Sequence, residues 1–360
     1  LPEGDTGRIG LTMSAADPSR VYALIDSATR TGLYRSDDLG DTWTFVTADA
    51  NVTARPFYFT HIYANPSNAD ELWSPANKLW RSVDAGKTWI LEPSAKDDFQ
   101  DIWIDPKDPM RMIVTCDGGT AVSLTGGTTW SSFANQSGAQ FYRVDTDDQF
   151  PYRVYGNAQD LLTYSIPSAS RWGGIPLHMT DYIGNGETGQ AIPKPGDPNI
   201  VYGLSTGATF GGATMFTLNN LKTGQTEPRP IWPEILFGTP ASEFKYRFNW
   251  QAPFLVSPHD PKTIYFAGNV VFRTRDEGLT WEVISGDLTH NLTDKMQVAG
   301  SKWLPEYFGQ EIFSTIHRLE ESPHEKGVLW AGTDDGRIWI TRDGGGDWQE
   351  VTPPDLPELA

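Results

Sequence analysis

An eight-residue motif recurs along the chain and constrains the fold more than any other feature. Its form, Ser-x-Asp-x-Gly-x-Thr-Trp, is complete at residues 36–43 and 82–89 and changed at one or two positions at 123–130, 274–281 and 341–348. Ser and Asp side chains accept hydrogen bonds from backbone N–H groups in tight turns, and Gly adopts backbone conformations that are costly for other residues. The motif therefore predicts a turn that leads into a strand beginning at Trp. We interpret its Asp residues as structural, because the turn requires them.

Dipeptides that end in Pro mark a second and more complete repeat. They stand between apolar runs at 17–18, 65–66, 108–109, 150–151, 197–198, 260–261 and 322–323. Around the first of them, apolar residues alternate in short segments typical of four β-strands, at 9–13, 21–25, 32–35 and 43–46. Seven such units without a helical period predict an all-β fold, a seven-bladed β-propeller whose blades are four-stranded antiparallel sheets.

We expect a single propeller domain over residues 1–354, because one blade cannot bury its apolar faces alone. The predicted blades cover approximately 6–50, 55–95, 97–136, 138–172, 187–235, 248–290 and 310–352, followed by a tail at 355–360. The first residue is Leu1 rather than Met. Either an export signal has been removed or the chain begins inside a longer protein.

The charge balance argues against nucleic-acid binding. The sequence has 28 Lys and Arg against 46 Asp and Glu, a net charge of −18, and no basic stripe offsets it. Such a chain repels a phosphate backbone, so we expect no nucleic-acid partner. No run approaches the roughly 18 consecutive apolar residues that a membrane span needs. The single cysteine, Cys116, allows neither an internal disulfide nor a cysteine-based zinc site.

The recurring motif resembles the Asp box of BNR-repeat β-propellers, which include sialidases, xyloglucanase-type glycoside hydrolases and the sortilin-like VPS10 group. Segments 1–11, 101–106, 139–144 and 246–261 resemble large bacterial secreted proteins of the BNR-repeat glycosyl hydrolase type. The resemblance spans essentially the whole chain. It implies Asp-box turns, carbohydrate binding, a secreted or periplasmic location and neighbouring domains in a longer chain. The sialidase Arg-Ile-Pro motif is missing from the sequence, since neither Arg8-Ile9 nor Arg337-Ile338 continues to Pro.

Acidic residues near the hairpins between second and third strands, together with Glu187 in a link between blades, are the candidate catalytic groups. In a propeller these hairpins and the links between blades share one face, opposite the Asp-box turns. Glycoside hydrolysis needs two carboxyl groups, one acting as acid and one as base or nucleophile. The candidates are Asp26, Asp117, Asp160, Glu187 and Asp335. The resemblance to xyloglucanase-type enzymes places Asp26 at a catalytic position, although the insert 28–31 and the single propeller depart from that family.

Aromatic and polar residues expected on the same face are the candidate substrate-binding groups. A sugar needs aromatic rings on which its C–H faces stack and polar partners for its hydroxyls. The candidates are Tyr58, His61, Asp101, Gln159, Trp250, Tyr307 and Glu311. No cofactor and no metal ligand is predicted, because the six His residues show no close pairing and no Asp-x-Asp-x-Asp-Gly loop occurs. A structural Ca²⁺ stays open, since Asp and backbone oxygens suit that ion.

Two functions follow from these patterns. The first is a glycoside hydrolase-like propeller that binds a polysaccharide at the hairpin face, with hydrolysis left open. The alternative is a non-catalytic, sortilin-like scaffold for a protein or peptide. Long segments at 172–190, 203–212 and 286–310 would either wall a binding cleft or be decoration. A carboxylate pair about 5–5.5 Å apart, or roughly 6.5–9.5 Å apart, would favour the enzyme.

Overall fold

The structure is a computed structural model of the chain. It describes residues 1–92, 96–133, 138–159, 161–183, 186, 188–205, 214–233, 239–296, 299–300, 305–306 and 312–356. Its helical elements are one short α-helix, α1 (Ala50–Thr53), and 3-10 turns at Leu177–Met179, Ala241–Glu243 and Thr293–Lys295. No helix in these ranges is long and apolar enough to cross a membrane.

The remaining regular structure consists of antiparallel strands, which form two compact units. Unit 1 comprises Leu1–Gly138 with Ala299–Glu306. Its first blade contains β1 (Thr6–Ser14), β2 (Asp17–Ser27), β3 (Gly32–Ser36) and β4 (Thr44–Thr47). The second contains β5 (Tyr63–Asn65), β6 (Asn68–Pro75), β7 (Leu79–Ser82) and β8 (Ile90–Leu91). The third contains β9 (Phe99–Ile104), β10 (Met112–Cys116) and β11 (Gly119–Ser123).

Unit 2 comprises Ala139–Val298 with Tyr307–Ala360 and contains four blades. Blade four has β12 (Phe141–Thr146), β13 (Arg153–Ala158), β14 (Thr163–Pro167) and β15 (Asp181–Ile183). Blade five has β16 (Gln190–Lys194), β17 (Asp197–Ser205), β18 (Thr214–Asn220) and β19 (Gln225–Trp232). Blade six has β20 (Phe254–Val256), β21 (Ile264–Ala267), β22 (Val271–Thr274) and β23 (Glu282–Val283). A hairpin of unit 1 follows, β24 (Ala299–Gly300) and β25 (Pro305–Glu306), and then blade seven with β26 (Ile316–Glu321), β27 (Leu329–Thr333), β28 (Ile338–Thr341) and β29 (Gln349–Glu350).

Each blade is a meander in which consecutive strands pair. Six blades have four strands, and the third has three among the described residues. The predicted fold class is confirmed: the chain is all-β, with the seven successive antiparallel sheets of a seven-bladed β-propeller. The expectation of one domain over residues 1–354 stays a prediction.

Apolar faces of consecutive blades supply the cores. In unit 1, Tyr22, Leu24 and Leu33 of blade one pack with Ile62, Leu72 and Ala85 around blade two. In unit 2, the largest cluster joins blades five and six through residues that include Tyr202, Phe216, Phe254, Phe266 and Phe272. Full burial of one such side chain stabilises the fold by about 1.5–3 kcal/mol. The alternation of apolar residues in the sequence therefore places these strands correctly.

The turns formed by the recurring eight-residue motif are held by their own side chains, as blade one illustrates. Ser36 Oγ donates to Asp38 Oδ1 at 2.7 Å and accepts from the Gly40 N–H at 2.8 Å. Asp38 also accepts from the Thr42 N–H and hydroxyl, at 2.8 and 2.6 Å, and these bonds lower the pKa of Asp38 to about 2. Gly40 has a φ of 102°, in the left-handed region that favours glycine. Both Asp38 oxygens thus accept hydrogen bonds within the turn, which supports a structural role for this residue.

The fourth blade differs in extent from the sequence-based prediction. Its last strand is β15, which lies beyond the predicted end of the blade at residue 172 and inside the segment expected to be a long loop. Ile183 is buried there, while Tyr182 packs on Tyr164 with ring centroids 5.2 Å apart. A three-residue strand is too short to produce a recognisable alternation, so the sequence gives little indication of it.

Candidate functional site

The hairpin side of a blade is the end of the sheet where its second strand stops and its third begins. In unit 1 this side carries six polar or aromatic residues that contact one another, which we call the unit 1 cluster: Arg55, Tyr58, Asn77, Asp98, Gln100 and Asp117. Asn77 and Asp117 come from the hairpins of blades two and three, and Gln100 lies at the start of β9. Arg55, Tyr58 and Asp98 come from the links that lead into these blades. The cluster contains Tyr58 and Asp117, which the sequence proposed separately.

Gln100 connects the exposed members of the unit 1 cluster. Its Nε2 donates to the Tyr58 hydroxyl at 3.3 Å and to Asp117 Oδ1 at 3.1 Å. Tyr58 is 40% exposed, and Asp117 is also exposed. An aromatic ring, an amide and a carboxylate therefore stand next to one another where a ligand can reach them.

Arg55 and Asp98 hold the base of the unit 1 cluster. They form an ion pair at 3.7 Å, and Asn77 Nδ2 donates to Asp98 Oδ1 at 2.9 Å. The Arg55 guanidinium also lies 5.2 Å from the centre of the Tyr58 ring, within cation–π range. Both Arg55 (φ 48°) and Asp98 (φ 53°) adopt the left-handed conformation, which is unfavourable for side-chain-bearing residues and is found disproportionately at functional sites.

His61 and Asp101 belong to a neighbouring group in unit 1. Burial and the nearby Arg8 guanidinium lower the pKa of His61, and Asp101 partly opposes this. Asp101 accepts from the Ile102 N–H at 2.8 Å and from the Tyr63 hydroxyl. Arg8 Nη1 also donates to the Phe57 carbonyl at 2.7 Å and to the Tyr58 carbonyl at 3.3 Å, so it positions the aromatic segment of the unit 1 cluster. The sequence analysis did not assign that role to Arg8.

Asp26 is buried rather than displayed at a hairpin tip. It is 1% exposed and lies at the end of β2, where Thr31 Oγ1 donates to its Oδ1 at 3.4 Å. A Cβ placed on Gly7 would lie 2.2 Å from Asp26 Oδ2, so the carboxyl group occupies the space that the glycine of β1 leaves. Local packing accounts for this placement, and the catalytic assignment of Asp26 remains a prediction.

In unit 2 the hairpin side contains a hydrogen-bonded network of four buried and two exposed residues, which we call the unit 2 cluster. Its buried members are Arg247, Asn269, Thr289 and Asp335, and its exposed members are Asp287 and His290. Arg247 is 5% exposed, and its Nη2 donates to Asp287 Oδ2 at 2.9 Å and to Thr289 Oγ1 at 3.0 Å. Asn269 Nδ2 donates to the same Asp287 oxygen at 2.9 Å. Burial tends to raise the pKa of Asp287, but these hydrogen bonds and the Arg247 charge hold it below its usual value.

Asp335 is the candidate catalytic residue that lies in the unit 2 cluster. It is 4% exposed, and its two oxygens accept from the Thr333 hydroxyl at 2.6 Å and from the His290 N–H at 2.7 Å. The neighbouring Asp334 accepts from the Thr315 N–H and hydroxyl at 2.8 and 2.7 Å. Burial raises the pKa of Asp334, and the adjacent Asp335 adds to the rise. Both carboxyl groups therefore hold loop backbone in place.

The other predicted residues are placed as follows. Trp250 is half-buried, and its Nε1 donates to the Tyr142 hydroxyl at 2.8 Å. The Gln159 N–H donates to the Gln140 carbonyl at 2.9 Å. Four candidates lie outside the described residues, namely Asp160, Glu187, Tyr307 and Glu311.

Sequence reasoning did not identify Asp287 and Thr289, which complete the unit 2 cluster. Their Asp-x-Thr spacing is a local capping pattern, in which the Asp287 carboxylate accepts from the Thr289 N–H at 3.0 Å. That pattern occurs in many turns, so it gives no indication of the partner Arg247, which lies 40 residues away in the chain. Within the described ranges, no group of three or more His, Cys, Asp or Glu side chains is arranged to hold a metal ion.

Fold and side chains together define a β-propeller with polar clusters on the hairpin sides of its blades. Among solved structures, the chain is similar to the GH74 enzyme of Niastella koreensis, with 12% identity, a TM-score of 0.31, and coverage of 97% of this chain and 78% of that one. It is also similar to the GH74 xyloglucanase of Xanthomonas campestris, with 12% identity, a TM-score of 0.29, and coverage of 97% and 61%. A third likeness is to YCF48 from Cyanidioschyzon merolae, with 14% identity, a TM-score of 0.29, and coverage of 93% and 92%.

No protein-family model and no curated protein sequence matches the chain. The structural likenesses all have TM-scores below 0.5 and carry no argument about function. The side chains of the two clusters are therefore the evidence for the function of the protein.

Proposed function

We propose that the protein binds a neutral polysaccharide through the unit 1 cluster. The observation that supports the proposal is a solvent-accessible row of three side chains in contact. The Gln100 amide donates to the Tyr58 hydroxyl on one side and to the Asp117 carboxylate on the other. A sugar ring stacks its C–H face on an aromatic side chain, and its hydroxyls donate to carboxylate oxygens. The three side chains supply both kinds of contact side by side.

The electrostatics of the chain favour a neutral rather than an acidic glycan. The net charge is −18, so the protein as a whole repels a long polyanionic polysaccharide. Arg55 is the cation of the unit 1 cluster, and it is already paired with Asp98. A neutral chain of hydroxyl-rich sugars meets neither obstacle.

Binding is better supported than hydrolysis. A catalytic carboxyl group must reach the glycosidic oxygen or the anomeric carbon, which requires access. Of the described catalytic candidates, Asp26 and Asp335 are buried. Asp117 is exposed, but the other carboxylate of the unit 1 cluster, Asp98, is held by Arg55 and Asn77, so the cluster does not offer the two available carboxyl groups that the reaction needs.

Affinity electrophoresis against a panel of neutral plant and bacterial polysaccharides tests the proposal. We expect the migration of the wild-type chain to be retarded by at least one of them and this retardation to be lost in Tyr58→Ala and Gln100→Ala. Tyr152→Ala is the matched control, because Tyr152 is 47% exposed and lies in unit 2. A reducing-sugar assay on wild type and Asp26→Asn tests hydrolysis separately.

The proposal fails if no polysaccharide retards the wild type, or if Tyr58→Ala and Tyr152→Ala behave alike. A peptide-binding scaffold is the second candidate, and one feature favours it. Strand β1 exposes Ile9, Leu11 and Met13, which are alternate residues and therefore lie on one side of the strand. Loss of binding to an apolar peptide library in Leu11→Asp, with glycan binding absent, would support the scaffold instead.

A further inference from the structure

Unit 2 has a cavity on the side opposite its hairpins, and none of its lining residues belongs to either cluster. It has a volume of about 420 Å³ and lies where the turn between the first two strands of blade six meets the corresponding turn and the eight-residue motif turn of blade seven. Its lining residues are Asp260, Thr263, Tyr265, Arg273, Arg275, Lys326, Gly327, Asp343 and Gly344. The volume falls within the range of about 300–1,000 Å³ that is usual for small-ligand sites.

The acidic side chains of this cavity are engaged within their own turns. Asp260 accepts from the Thr263 hydroxyl at 2.8 Å and from the Lys262 N–H at 3.1 Å. Asp343 accepts from the Thr341 hydroxyl at 2.8 Å and from the Gly346 N–H at 2.8 Å. These carboxylates therefore stabilise their own turns, and they neutralise the charges of the three basic residues that line the cavity only in part.

The basic side chains are less fully engaged. Arg273 is held in place, since its Nε donates to Glu282 Oε1 at 2.6 Å and its Nη1 to the Gly344 carbonyl at 2.7 Å. Arg275 has a side chain that is 65% exposed and approaches Glu282 only to 4.0 Å. Lys326 is exposed, and its charge helps to lower the pKa of the neighbouring Asp260, although among the described residues it forms no direct ion pair.

We propose that the cavity binds the oxyanion group of a small molecule between Arg275 and Lys326. The two cations come from different blades, and they are the basic residues of the cavity whose side chains are exposed. A phosphate ester, a sulfate ester and a carboxylate share the required chemistry, because each presents several charged oxygens to the cations. Tyr265 lines the cavity but is buried, and its hydroxyl lies 3.5 Å from Glu321 Oε1, so the two cations are the groups offered to the ligand.

Isothermal titration calorimetry on the full chain at low ionic strength tests this site. The probes are D-glucose 6-phosphate, D-glucose 6-sulfate and D-glucuronate, which distinguish the three anion types, and uncharged D-glucose. We expect at least one anionic probe to bind and glucose not to bind. Added NaCl should weaken the binding, because salt screens exposed charges.

The double variant Arg275→Gln/Lys326→Gln should weaken anion binding by about tenfold, the effect of removing two exposed charge contacts. Lys107→Gln/Lys222→Gln changes the net charge equally at exposed residues away from the cavity and should bind as the wild type does. The proposal is overturned if no anionic probe binds, if glucose binds equally well, or if the two double variants have the same affinity. None of these outcomes depends on polysaccharide binding at the unit 1 cluster.

Discussion

The two hairpin-side clusters are built from similar residues but differ in burial. The unit 1 cluster presents Tyr58 and Asp117 to solvent, where Gln100 donates to both. The unit 2 cluster encloses Arg247 and Asp335 at 5% and 4% exposure. An acidic residue at a hairpin therefore serves two purposes in one fold, as an accessible hydrogen-bond acceptor in blade three and as an anchor for backbone in blade seven.

The hydrogen-bond partners of a carboxylate determine whether it stabilises the fold or is available to a ligand. The two Asp335 carboxylate oxygens accept hydrogen bonds from the Thr333 hydroxyl and from the His290 backbone N–H, which fixes the segment after blade six. Asp117 accepts from the half-buried Gln100 side chain at a place that is open to solvent. Substitutions in the two clusters should therefore change different properties, stability in unit 2 and binding in unit 1.

The largest effect is expected from Arg247→Met. This change removes a buried guanidinium and its hydrogen bonds to Asp287, to Thr289 and to the Ser314 carbonyl. Because the Asp287 side chain is 34% exposed, we expect a loss of about 3 kcal/mol, the lower end of the cost of breaking a fully buried pair. Urea unfolding followed by Trp fluorescence should show this loss. An unchanged midpoint and slope would contradict the structural role assigned to the unit 2 cluster.

A smaller loss is expected from Asp335→Ala. The His290 N–H and the Thr333 hydroxyl would lose their acceptor in a buried place, at a cost of about 1–3 kcal/mol. The same urea titration measures it. Wild-type stability combined with lost activity on a glycan would instead identify Asp335 as catalytic.

For Gln100→Ala in the unit 1 cluster, we expect a change in the free energy of unfolding of about 0.5 kcal/mol or less. Gln100 contributes contacts between exposed groups, and such surface substitutions usually have small effects. Thermal unfolding monitored by circular dichroism provides the measurement. A loss comparable with that of Asp335→Ala would show that the unit 1 cluster is also structural.

The pH dependence of stability should have opposite signs at Asp38 of unit 1 and Asp334 of unit 2. The pKa of Asp38 is lowered to about 2, so its contribution is present above its unfolded pKa near 4 and is lost as the pH falls towards 2. The pKa of Asp334 is raised by burial, so its contribution is present at low pH and is lost as the pH rises through the folded pKa.

Stability measured in urea from pH 2 to 6 checks these signs. Asp38→Asn should reduce the loss of unfolding free energy that occurs as the pH falls towards 2. Asp334→Asn should reduce the loss of unfolding free energy that occurs as the pH rises through the folded pKa of Asp334. Asp84→Asn, in the equivalent turn of blade two, is the matched comparison for Asp38 because its pKa is also lowered by turn hydrogen bonds, although burial opposes them. Equal slopes in all three variants and the wild type would contradict the assignment.

Local patterns allowed the fold to be predicted from the sequence. The turn around Asp38 is built from residues within a span of eight, so its capping bonds follow directly from the motif. The strand β15 was missed because three residues carry too little alternation. In general, contacts close in sequence were predictable and short isolated elements were not.

The site was less predictable because its contacts are distant in sequence. Gln100 lies 42 residues from Tyr58, and Arg247 lies 40 residues from Asp287. The sequence places these residues on the hairpin sides but does not show which of them touch. It also gave no indication that Asp26 would be buried, since that follows from the space above Gly7 on a neighbouring strand.

The most direct test applies the same chemical change to both clusters. Asp117→Asn and Asp335→Asn each replace a carboxylate by an amide, and each protein is assayed for unfolding in urea and for retention by the polysaccharide that binds the wild type. We predict that Asp117→Asn loses glycan binding with its stability unchanged, while Asp335→Asn loses stability and still binds the glycan when folded. The reverse pattern, or the same pattern in both variants, would contradict the account.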